Sequence, residues 1–115
     1  MAIKLIDLIP KIEGDILTVK GNFNNLTIND GYVSDLLSDV MANAKDNQAW
    51  ITIMKHLNSV AVASIANIPC IIFANGVIPN SDVIDKANEE NICLLASKLS
   101  SFEIAGRLYT MLHSK

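Results

Sequence analysis

The sequence predicts an α/β domain built on a mostly parallel sheet. Three short apolar runs carry that reading: Trp50-Ile51-Thr52-Ile53-Met54, Cys70-Ile71-Ile72-Phe73-Ala74 and Ile92-Cys93-Leu94-Leu95-Ala96. Each is rich in β-branched or large apolar residues and too short for a buried helix, and each is followed by a polar corner and a segment of helical period. That alternation is the pattern of consecutive βαβ units.

Ahead of these units the chain reads as a short amphipathic helix at 2–9, a strand Ile16-Leu17-Thr18-Val19 and a turn-rich segment Lys20-Gly21-Asn22-Phe23-Asn24-Asn25. A strand around Leu26-Thr27-Ile28 follows, then the corner Asn29-Asp30-Gly31 and an extended Tyr32-Val33. A helix is expected from about 35 to 44, with Ser34 as N-cap and Leu36, Leu37, Val40, Met41 and Ala44 on its apolar face. Asp35, Ser38, Asp39 and Asn43 fall on the opposite face.

After the first apolar run, His56 or Asn58 opens a helix whose inward positions are read as Leu57, Val60, Ala61, Ser64 and Ile65. Pro79-Asn80-Ser81-Asp82 opens the next, with Val83, Ile84 and Ala87 inward. The last begins at Ser100-Ser101-Phe102-Glu103, a capping-box spacing, and repeats Phe102, Ala105, Leu108, Tyr109 and Leu112 at helical period.

Bulk composition bounds the function. At 115 residues, half of them apolar, the chain is one domain with enough apolar surface for a core without disulfides or metal. A net charge of -3 leaves no excess of Lys and Arg to neutralise a phosphate backbone or an anionic bilayer, which argues against nucleic acid and membrane partners. Lys4 and Asp7 interrupt the opening apolar stretch and Pro10 follows it, so no signal peptide is read and a cytoplasmic location is expected. The apolar surplus motivates a homodimer. Cys70 and Cys93 each fall in a strand expected to be buried, where a thiol acts as a small hydrophobe.

Catalytic signatures are missing. The glycines at 14, 21, 31, 76 and 106 form neither a Walker A loop nor Gly-x-Gly-x-x-Gly, and Gly-x-Ser-x-Gly is absent. Two histidines at 56 and 113 and two cysteines at 70 and 93 supply no metal-site spacing, so neither metal nor cofactor is expected.

In an open parallel sheet a ligand binds beyond the carboxyl ends of the strands. The candidate binding residues are therefore those of the three strand-to-helix corners: Lys55 and His56, Asn75 and Gly76, and Ser97, Lys98 and Ser100. Their chemistry suits a small anion or the polar rim of a partner, although turns and helix caps collect the same residue types.

The block Ile68-Pro69-Cys70-Ile71-Ile72-Phe73-Ala74-Asn75-Gly76-Val77-Ile78-Pro79, with Asn91 to Ala96 after it, resembles the DRTGG domain family. It is also similar to the N-terminal domain of HPr serine kinase/phosphorylase. The segment Gly31 to Met41 is similar to stand-alone DRTGG proteins of the iron-hydrogenase-associated type. The namesake motif is altered: its Gly-Asp-Arg element falls near Met54-Lys55-His56, Thr-Gly-Gly becomes Ala74-Asn75-Gly76, and only Gly76 and Pro79 carry over. The resemblance implies a three-layer α/β/α sandwich acting as a regulatory or assembly module without kinase activity, since no P-loop is present.

Three functional expectations follow. The first is a non-catalytic regulatory module that binds a partner protein or small ligand at the crevice. The second is a small-anion or nucleotide sensor using the seven corner residues. The third is an enzyme with His56, beside Lys55, as its base.

Overall fold

The computed structural model describes residues 2–19 and 23–114. Four parallel strands form the centre of the molecule: β4 (Asp30–Val33), β5 (Gln48–Thr52), β6 (Cys70–Phe73) and β7 (Cys93–Ser97). A short strand near the N-terminus, β2 (Gly14–Ile16), adds antiparallel to β7, giving the order β2-β7-β6-β5-β4. The strands β1 (Ile3–Lys4) and β3 (Thr27–Ile28) pair antiparallel as a separate ribbon.

Every residue of β5, β6 and β7 is buried, as expected for strands covered on both faces by crossover helices. Alternation then sorts them into two cores. Ala49, Ile51, Cys70, Ile72, Cys93 and Leu95 face α1 (Leu5–Lys11) and α5 (Ser101–Leu112). Trp50, Ile71, Phe73 and Leu94 face α2 (Leu37–Asn43), α3 (Leu57–Ile65) and α4 (Ser81–Glu90). The result is the three-layer α/β/α sandwich implied by the family resemblance. Cys70 and Cys93 are register partners on neighbouring strands, both buried and both free thiols.

Several boundaries differ from the sequence reading, each for a local reason. β5 begins at Gln48 because that buried amide is satisfied at both ends: its Nε2 donates to Asp30 at 2.9 Å and its Oε1 accepts from Lys45 N. The corner read at 29–31 is instead the start of β4, where Asp30 and Gly31 pair with Gln48 and Ala49. The first helix starts after β1 and runs through Pro10 to Lys11. Ser34 lies two residues before the N-cap of α2, which is Leu36, and its Oγ accepts from Leu36 N in a local turn. Lys20, Gly21 and Asn22 of the turn-rich segment lie outside the described residues.

Two helix faces also shift. In α3 the buried residues are Ser59, Val60, Val62 and Ala63, whereas Leu57, Ala61, Ser64 and Ile65 are exposed. Ser59 is tolerated inward because its hydroxyl donates to the carbonyl of Met54 at 2.8 Å. In α5 the inward line is Ile104, Leu108 and Leu112, while Phe102 and Tyr109 point out. The capping box at Ser100 and Glu103 forms as the spacing predicts, with Glu103 N donating to Ser100 Oγ at 3.1 Å. Among the described residues no helix is long and apolar enough to cross a membrane.

Candidate functional site

Parallel pairing brings the ends of β5, β6 and β7 to one side of the molecule: Thr52 stands opposite Phe73, and Phe73 opposite Ala96. The turns that follow form a common rim. They are stitched to one another by backbone geometry. Asn75 N donates to Leu99 O and Gly76 N to Ser97 O, both at 2.9 Å, which ties the turn after β6 to the turn after β7. Asn75 (φ 59°) and Gly76 (φ 72°) both lie in the left-handed region, a pair of conformations that asparagine and glycine tolerate best.

On the other flank, Asp35 closes the gap between β4 and β5. Its Oδ1 accepts from Thr52 Oγ1 at 2.8 Å and from Ile53 N at 3.0 Å. Thr52 Oγ1 in turn accepts from Met54 N at 3.1 Å, so the chain entering Lys55 and His56 is held by a relay of three hydrogen bonds. Helical period places Asp35 on the outer face of a helix, whereas α2 starts only at Leu37 and Asp35 precedes it. A carboxylate just past one strand and a threonine ending the next is the signal that marks such a clasp.

The seven corner residues divide by what their polar groups are already doing. Lys55, His56 and Lys98 are exposed, and their side chains make no hydrogen bond or ion pair among the described residues. Asn75 and Gly76 are exposed and their amides are used within the rim. Ser97 is buried, with its hydroxyl donating to Ile12 O at 2.6 Å and accepting from Leu99 N at 3.1 Å. The hydroxyl of Ser100 serves the capping box. Ser97 and Ser100 thus shape the rim, while among the described residues the side chains of Lys55, His56, Asn75 and Lys98 are not engaged in hydrogen bonds.

Among the described residues, His56 makes no hydrogen bond to a carboxylate or hydroxyl. Among the described residues no three His, Cys, Asp or Glu side chains gather as a metal site. Cavities also lie off the rim. One of about 680 Å³ runs along α5 near Lys11 and Ile3, and another of about 110 Å³ lies between α5 and β4.

The family model for the HPr Serine kinase N terminus matches residues 54–112, from the rim after β5 to the end of α5. Among solved structures, this chain is similar to the CBS and DRTGG domains of the regulatory region of Clostridium perfringens pyrophosphatase, complexed with the activator diadenosine tetraphosphate. The two share 12% identity with a TM-score of 0.73, over 91% of this chain and 45% of that one. The chain therefore spans less than half the length of that relative, and at such identity the likeness is one of fold. No curated protein matches the sequence. With half its length under the family model and its sheet and helices laid out as in a DRTGG domain, the chain belongs to the HPr serine kinase N-terminal family, of DRTGG type.

Proposed function

We propose that this chain is a non-catalytic cytoplasmic regulatory module whose rim binds a small anionic ligand, a nucleotide or other phosphorylated metabolite. The observation that carries the reading is the set of exposed nitrogen-bearing side chains, Lys55, His56 and Lys98, that have no partner among the described residues and stand at the carboxyl ends of adjacent parallel strands. Supporting it, the regulatory region of a pyrophosphatase that shares this fold was solved with a nucleotide activator. Binding rather than turnover is the output, because the rim hydroxyls of Ser97 and Ser100 are committed to structure.

The experiment is a thermal-shift and NMR titration against inorganic phosphate, pyrophosphate, ADP and dinucleoside polyphosphates. A ligand at a hundred times its Kd stabilises by about 2.7 kcal/mol. Shifts are expected at Lys55, Asn75, Gly76 and Lys98, and a Lys55→Glu/Lys98→Glu variant should lose them. Silence across the panel rejects the anion reading.

A second reading, a protein-interaction module working as a homodimer, is favoured by exposed aromatic surface on α5: Phe102 is 87% and Tyr109 64% accessible. Sedimentation showing a dimer that Phe102→Glu dissociates would support it.

A further inference from the structure

The groove of about 680 Å³ along α5 falls within the ~300–1,000 Å³ range of small-molecule sites. Its apolar walls are Ile3 and Met111, both half-buried at the margin of the core under α1 and α5. Lys11 and Arg107 stand on its lip, and among the described residues no carboxylate lines it, although the chain as a whole carries a net charge of -3. Arg107 is positioned by two contacts: its Nη1 donates to Lys11 O at 3.0 Å and lies 3.6 Å from Glu13 Oε2. The rest of its N–H donors have no partner among the described residues. Lys11 has no ion pair among the described residues.

Gly106 lines the groove and is the informative residue. Glycine is among the least favourable residues in a helix interior. Nothing in the packing asks for it, because a Cβ there would meet no atom within 4 Å. Its backbone is helical, without the positive φ seen at Gly76. What the missing side chain does is keep the groove open.

We propose that this groove is a second ligand site, distinct from the rim, for a small amphipathic carboxylate. The apolar body lies against Ile3, Gly106 and Met111, the carboxylate meets Lys11 and Arg107, and the Thr110 hydroxyl is a further donor. A polyphosphate is the wrong ligand here, because the apolar walls would strip its hydration without replacing it.

The test is an amide NMR titration of the full chain with octanoate, set against acetate, which lacks the apolar body, and octylammonium, which reverses the charge. Octanoate is expected to saturate with shifts at Ile3, Gly106, Thr110 and Met111, and both controls to bind about tenfold weaker or worse, a difference of about 1.4 kcal/mol. Gly106→Leu should weaken octanoate at least as much, while its unfolding midpoint holds or rises because a better helix former replaces glycine. Lys11→Glu, on an exposed residue, gives the same readout should the leucine variant misfold. Shifts centred on Phe102 and Tyr109 or on the rim, equal binding of octylammonium, or indifference to both substitutions would overturn the site.

Discussion

Leu108 packs over Gly31 so closely that a Cβ on the glycine would stand 2.8 Å from Leu108 Cδ2. That contact seats α5 against the edge strand β4, and it explains why the corner read at Asn29-Asp30-Gly31 is part of a strand. Gly31→Ala is expected to destabilise the protein by about 1–3 kcal/mol, toward the lower end because the obstructing atom is a side-chain terminus. Leu108→Ala alone should cost about 2–5 kcal/mol. In the double variant the costs should fall short of their sum, and denaturant midpoints that add without interaction would show that the two residues do not clash.

Removing the carboxylate of Asp35 should loosen one flank of the rim. Thr52 is fully buried, and its hydroxyl loses its acceptor in Asp35→Ala, as does Ile53 N. The expected loss is about 1–3 kcal/mol. Asp35→Asn retains an acceptor oxygen and should recover most of it; equal losses for the two variants in urea unfolding would assign the effect to charge instead.

The pair Tyr32 and Asp39, joined at 2.8 Å, titrates in opposite senses. Hydrogen bonds from Ser34, Tyr32 and Asn43 hold the Asp39 carboxyl below its ordinary range. The bond to Asp39, with burial and the nearby charge, raises the Tyr32 phenol. A lowered carboxylate contributes stability above its unfolded pKa of about 3.9, lost as pH falls through the folded value. A raised phenol contributes below its unfolded pKa of about 10, lost as pH rises through the folded value. In Asp39→Asn the Tyr32 titration followed by NMR should move back down, and an unmoved Tyr32 curve would dissociate the two groups.

Cys70 and Cys93 should be inert in the native state. The thiol of Cys70 is pushed up by its hydrogen bond with Cys93, then by burial and by the charge of a neighbouring thiolate, and although the same bond lowers Cys93, both side chains are fully buried. A reagent that needs the thiolate reaches them only after opening. Iodoacetamide labelling is expected to be slow, simultaneous at both residues and accelerated by urea in step with unfolding. Rapid modification of one cysteine alone would reveal a local opening at the amino ends of β6 and β7.

What could be read from the chain was periodic; what escaped was relational. The apolar runs at 50–54, 70–74 and 92–96 identified three strands within two residues of their bounds, because full burial on both faces leaves an unbroken apolar signature. Ser100 and Glu103 announced the start of α5 because a capping box is local in sequence. The inward face of α3 was misplaced because Ser59 earns its buried position through a bond to Met54 that no periodicity records. Phe102, Leu108 and Tyr109 share one helical period in the sequence, and only the tertiary fit separates them: Leu108 packs over the glycine of β4 while Phe102 and Tyr109 stay exposed. At the rim, the strand ends located all seven corner residues, but only the tertiary partners of Ser97, Ile12 O and Leu99 N, reveal that its hydroxyl is spent.

The antiparallel strand β2 sits beside β7, pairing residues 14–16 with residues 95–97. During synthesis, its docking edge does not exist until some eighty residues later have been made, so the opening arm waits while the parallel units assemble. Closure over that separation is entropically costly and ranks among the slower steps of folding. A nascent chain halted before Ser97 would therefore leave Leu5, Leu8 and Ile12 without the strand that completes their side of the core, exposing apolar surface prone to aggregation.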